Sequence, residues 1–172
     1  MRLSPHFTLG ELCKTKHVTE DGNIPSRVAI ENLKRICENW LEDLRYSYNM
    51  LYVHSGVRPQ SKVAGDCTLA PDPGAAPETE EAIVINSGYR SPEVNRLAGG
   101  AKTSNHLSGC AVDIRCAGKE QMIRYASILL DIADGTKQDF DELLLEQHGN
   151  VCWLHFAVKP KDNRRRIGFI RT

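Results

Sequence analysis

Asp113 is a carboxylate set inside the apolar run Cys110-Ala111-Val112-Asp113-Ile114, and it constrains the fold more than any other residue of the chain. An unpaired carboxylate in such a strand costs several kcal/mol, so the fold must bring Asp113 a partner or a metal ion. Period-2 alternation puts Val112 and Ile114 on one face of this strand and Ala111 and Asp113 on the other. In the strand 151–158 the same rule puts Cys152, Leu154, Phe156 and Val158 on a plain core face. His155 then shares the opposite face with Val151, Trp153 and Ala157. His106 stands seven positions before Asp113, in a loop that can fold back over the strand end. Two imidazoles and one carboxylate are the ligand set of a zinc ion with one coordination position open. The same residues also fit a hydrogen-bonded His155–Asp113 pair with His106 in a polar loop. Spacing alone does not choose between the two.

Around this segment the pattern predicts an α+β domain. Thr8-Leu9-Gly10-Glu11 reads as a capping box with Phe7 as its staple. Ile24-Pro25-Ser26 opens a long helix whose buried stripe is Leu33, Ile36, Cys37, Trp40, Leu41 and Leu44. Residues 82–86 form a short β-branched strand, and Ser91-Pro92-Glu93 opens a helix that stops at Gly99-Gly100. A helix from Lys119 to Ala133 follows, then strands 140–146 and 151–158 around a four-residue turn, 147–150. Helices ahead of a largely antiparallel sheet predict one domain over 1–172. Residues 59–81, rich in Pro and Gly, read as a mobile surface insertion. Two similar phrases, residues 53–58 and 85–90, flank it, and His54 in the first is not expected to be a ligand.

The chain has 172 residues, 22 basic and 22 acidic, and a net charge of zero, which predicts no nucleic-acid partner. The basic tail Lys159 to Arg171 reads as solvated surface. No apolar run suggests a membrane span or a signal peptide, so the expectation is a chain made and kept in the cytosol. The six cysteines form no Cys-x-x-Cys pair and read as reduced thiols, several of them in the core. His148 is expected to be exposed at the hairpin tip.

Ser104-x-His106-x-x-Gly109-x-Ala111-x-Asp113, with Ser87-Gly88-Tyr89-Arg90-Ser91 upstream and Trp153-Leu154-His155 downstream, resembles the zinc D-Ala-D-Ala carboxypeptidase family. The opening Leu3 to Leu12 resembles the start of that family's phage- and prophage-type murein peptidases. The similarity implies a Hedgehog/DD-peptidase-like fold, with N-terminal helices packed on a mainly antiparallel sheet. It implies His106, Asp113 and His155 as ligands of one Zn2+ per chain, and a peptidoglycan stem peptide as the substrate; the chain itself is expected to be a monomer. The resemblance implies a prophage-type lysin or a phage-particle component, which would reach the wall by a route other than a signal peptide. Arg90 resembles the family's oxyanion-stabilising arginine. Ser104 either orients a ligand or contacts substrate, and Tyr89 is read as packing.

The base is less clearly marked. Better-known members carry Glu or Asp three residues before the last ligand, where this chain has Cys152. Glu146 matches an acidic position in the phage-type branch and is the favoured base, with Glu142, Asp139 and Asp141 as rivals. With a four-residue turn, Glu142 would face His155, and Glu146 would lie four strand positions away, roughly 13 Å at ~3.3 Å per residue. Without a base, the chain would be a weak or inactive zinc-containing module that binds murein peptides or a partner.

Overall fold

A computed structural model describes residues 1–53 and 80–171. His54, Cys67 and residues 59–79 of the expected insertion lie outside the described residues. The fold is α+β, with most of its helices packed on one face of a mixed five-stranded sheet. The strands are β1 (Ile85–Ser87), β2 (Ala111–Cys116), β3 (Glu142–His148), β4 (Val151–Ala157) and β5 (Arg166–Arg171). They lie in the order β1-β2-β4-β3-β5, antiparallel except that β5 runs parallel to β3.

Local chemistry sets the helices. Thr8 caps the short α1 (Leu9–Leu12) through Glu11 N, and Ser26 caps α2 (Arg27–Ile36) through Ala29 N. α2 continues through a π-turn, Cys37–Leu41, into α3 (Glu42–Tyr48) and a second π-turn, Asn49–Val53. The sequence stripe is buried as expected, but the helix widens at Cys37–Leu41 instead of staying α throughout. Trp40 lies there, edge-on to Phe156 at 5.0 Å and to Phe140 at 6.4 Å, which seats the long helix under β4. Ser91 caps α4 (Pro92–Leu97), and α5 (Lys119–Thr136) buries Met122, Tyr125, Leu129 and Ala133 in the same core. Among the described residues no helix is long and apolar enough to cross a membrane.

Cross-strand register divides the sheet into two faces. Val112 and Ile114 of β2, Leu143 of β3, and Cys152, Leu154 and Phe156 of β4 form the core face. The other face carries three rows across the strands: Glu142, Ala157 and Ala111; Leu144, His155, Asp113 and Ser87; Glu146, Trp153 and Arg115. The β3–β4 hairpin differs from its expected form. His148 pairs with Val151, so the turn is only Gly149-Asn150, and Gly149 adopts φ 55° to allow it. His148 is therefore exposed on the strand end and not at the tip. The shorter turn shifts the register by two residues: Leu144 faces His155, Glu142 faces Ala157 and Glu146 faces Trp153.

The tail is the second correction. Residues read as solvated surface form β5 against β3, and Lys159, Arg164 and Arg166 make ion pairs with the carboxylates Asp141 and Glu142. Charge thus fixes this strand in place, which explains why its sequence did not look like a strand.

Candidate metal centre

Asp113 is placed by β2 and shielded from solvent, being 8% exposed. Its neighbour across the ladder is His155, whose Nδ1 lies 2.9 Å from Asp113 Oδ1. His106 rides on a 3-10 turn, Asn105–Ser108, just before β2. The Ser104 hydroxyl caps that turn by accepting from His106 N at 3.3 Å. Of the two roles left open for Ser104, orienting the histidine is visible; its position in the cleft wall leaves room for substrate as well.

The two glycines of the flanking motifs have physical reasons to be there. Gly109 closes the turn at φ 69°, and a Cβ on it would sit 2.4 Å from the Ala29 carbonyl oxygen. A Cβ on Gly88 would be 2.5 Å from the Leu12 carbonyl oxygen. That close passage lets the Gly88 carbonyl accept from His106 Nδ1 at 2.5 Å. His106 Nε2, on the other side of the ring, lies 3.2 Å from Asp113 Oδ1.

The ligand atoms of His106, Asp113 and His155 lie within 4.8 Å of one another, and the two rings sit 5.0 Å apart. Burial alone would raise the Asp113 pKa, but the two imidazoles hold it well below the usual carboxylate range. Burial works against a charged His155, yet Asp113 and Glu142 push its pKa up to about 9. Two imidazoles thus flank one ionised carboxylate, and a cation that displaces the imidazole proton would find nitrogen and oxygen donors on both sides. The set fits zinc: imidazole nitrogens and a carboxylate are its donors at ~2.0–2.2 Å, and three protein ligands leave a position open. His155 Nε2 lies 3.6 Å from Glu142 Oε2, giving that ring the outer carboxylate that metal-binding histidines usually have.

The four candidate bases separate clearly. Asp139 is exposed and pairs with Arg165. Asp141 is fully buried, chelated by Arg164 at 2.9 and 2.6 Å, and also held by Lys159 and Asn105. Glu142 lies against His155, Arg164 and Arg166, and its pKa falls to about 2, the His155 contact contributing most. Glu146 has no arginine or lysine partner among the described residues. Burial raises its pKa, and the Asp113 charge adds to the rise. The register correction also brings it nearer: it is diagonal to His155 on the same face, ~7–8 Å, instead of the expected 13 Å. Cys152, by contrast, lies on the core face and is 4% exposed, so it packs and does not face the ligands.

Arg90 follows β1, its Nε donating to Ser87 Oγ at 2.8 Å and its guanidinium paired with the second oxygen of Asp113. Tyr89 is buried, as expected. Two cleft residues were not singled out from the sequence. Trp153 hydrogen-bonds Glu146, and its place beside His155 in the alternation was the available signal. Asn105 donates to Asp141 at 2.9 Å and Glu142 at 3.2 Å, tying the ligand turn to β3; nothing in its local sequence marks those distant partners. A cleft of 940 Å³ is lined by His106, Asp113 and His155, with Arg90, Ser104 and Glu146 also in its walls.

A comparison with curated proteins returned no match. Residues 77–142, which carry Arg90, Ser104, His106 and Asp113, match the family model described as Peptidase M15, and the α+β architecture is consistent with the fold of that family. The matched stretch covers 66 of the 172 residues and ends before Glu146 and His155. Across its ligand turn and the strand β2, the chain is similar to zinc-dependent peptidases of the M15 family.

Proposed function

We propose that the protein is a zinc-dependent peptidase that hydrolyses a peptide bond next to a D-residue in peptidoglycan stem peptides. One observation carries the reading: two histidines and an ionised aspartate converge beneath an open cleft, with an unpaired, partly buried glutamate on the same sheet face. His106 Nε2, Asp113 and His155 Nδ1 would hold the metal. Zinc bound there supplies a Lewis acid for the scissile carbonyl and lowers the pKa of water. Glu146, its pKa raised by burial, accepts the proton of the attacking water and delivers it to the leaving amine. Arg90 keeps a fixed positive charge at the edge of the ligand set, where it offsets charge growing on the carbonyl oxygen. Ser104 holds the His106 turn and offers its hydroxyl to the substrate backbone.

Cys152 favours a second reading, because it puts a buried thiol where better-known relatives carry a base. In that reading the chain binds zinc and stem peptides but turns over slowly or not at all. Hydrolysis of purified stem peptides, followed by mass spectrometry, separates the two. Glu146→Gln is expected to keep its zinc and lose at least ~100-fold in kcat, the usual contribution of a general base. Stoichiometric zinc with no hydrolysis by the wild type supports the binding module.

A further inference from the structure

A second groove, 470 Å³, adjoins the metal cleft and shares Asn86, Ser87, Arg90 and Ala98 with it. Its chemistry is different. The metal cleft mixes four carboxylates with its cations, whereas the second groove is lined by Lys14, Lys16, His17, Arg90 and Arg115 and, among the described residues, by no acidic one. Lys14, Lys16 and Arg115 are exposed, and none has an ion-pair partner among the described residues. Arg115 is two residues from Asp113 on the same face of β2, about 7 Å along the strand. The nearest carboxylate in its row, Glu146, is separated from it by Trp153. Val84 to Ser87 also line the groove, and among the described residues β1 is an edge strand paired with β2 alone.

We infer that this groove is an anion subsite that binds a carboxylate of the peptide occupying the metal cleft. Unpaired cations held together in a groove without acids repel one another, and a bound anion relieves that repulsion. Because the groove and the metal cleft share four wall residues, a peptide long enough to leave the cleft along that wall reaches the groove. From Ser87 to Val84 is about 10 Å of strand, so the recognised carboxylate lies two to three residues from the bond over the metal. The inference rests on the peptidase reading only in taking the ligand to be a peptide. It adds a specificity: free carboxylates are preferred over carboxamides at that distance.

The test uses pairs of synthetic stem peptides, identical except that a carboxylate two or three residues from the scissile bond is free or amidated. Both kcat/KM and equilibrium binding by fluorescence anisotropy are measured. The wild type is expected to favour the free carboxylate roughly tenfold, less at high salt, as exposed ion pairs summing over three cations would give. In Lys14→Gln/Lys16→Gln/Arg115→Gln the ratio falls towards one. Lys14→Glu/Lys16→Glu, altered only at exposed loop positions, reverses the preference. A wild-type ratio of one, or a ratio unchanged in both variants, overturns the subsite. If no peptide is cut but the binding preference is present and lost in the variants, the subsite stands and the peptidase reading falls. Tighter binding of a glycerol-phosphate polymer than of the carboxylate peptide, lost in the same variants, would overturn the peptide assignment.

Discussion

Glu142→Gln probes how the metal centre is held together. Glu142 Oε2 is 3.6 Å from His155 Nε2 and receives Asn105 at 3.2 Å, while Oε1 receives Arg166 at 2.9 Å and Arg164 at 3.0 Å. At 3.6 Å and an effective dielectric of about 20, full unit charges would attract by roughly 5 kcal/mol. Two features reduce the net effect. A metal-binding imidazole is neutral and presents only its N–H, and two guanidiniums already neutralise part of the carboxylate. Removing an outer partner of this kind lowers metal affinity 10–100-fold, and the length of the contact points to the lower end. The expected loss is about tenfold in zinc affinity, ~1.4 kcal/mol. Competition against a chromogenic chelator at pH 7.5 measures it, with far-UV circular dichroism as the folding control. Arg166→Gln, which leaves the carboxylate in place, should cost less. A zinc affinity of Glu142→Gln within twofold of wild type would show that Glu142 does not support His155 at the metal.

Gly109→Ala forces a Cβ against the Ala29 carbonyl at a left-handed φ, and about 3 kcal/mol of stability should be lost. Differential scanning calorimetry should then show Tm down by roughly 6–12 °C. Asp141 is a case for pH: burial opposes its ionisation, but Arg164, Lys159 and Asn105 outweigh that and lower its pKa. A lowered folded-state pKa stabilises above the unfolded value, ~3.9, and that contribution is lost as pH falls below it. Urea midpoints should fall below about pH 4 for the wild type, while Asp141→Asn is less stable at pH 7, by about 3 kcal/mol, and changes less with acid. Trp153→Phe removes a hydrogen bond that lowers the Glu146 pKa, so the acid limb of the kcat/KM profile should move to higher pH. An unmoved limb would separate Glu146 from the titration.

The sequence made the convergence of Asp113 and His155 legible because strand alternation is strict: a carboxylate and an imidazole off the plain core faces had to meet something. His106 was legible only through its motif, since the fold that returns its loop depends on Gly88 and Gly109 passing close to distant carbonyls. The hairpin register was misjudged because either two or four residues can close a turn containing Gly149, and a two-residue shift keeps every side chain on its face. Faces were therefore right while distances were wrong, and Glu146 came out nearer than expected. β5 was missed because Arg164 and Arg166 look like solvated charge until Asp141 and Glu142 are beside them. Partners 22 or more residues apart leave no local trace.

The most direct test of the account is where the metal sits. Anomalous diffraction at the zinc edge, on crystals of protein loaded with one equivalent of Zn2+, should place a single ion bonded to His106 Nε2, Asp113 and His155 Nδ1. Bond lengths of ~2.0–2.2 Å and a fourth position facing the cleft are expected. Zinc bound elsewhere, or a protein that hydrolyses stem peptides with no zinc at these three residues, would contradict it.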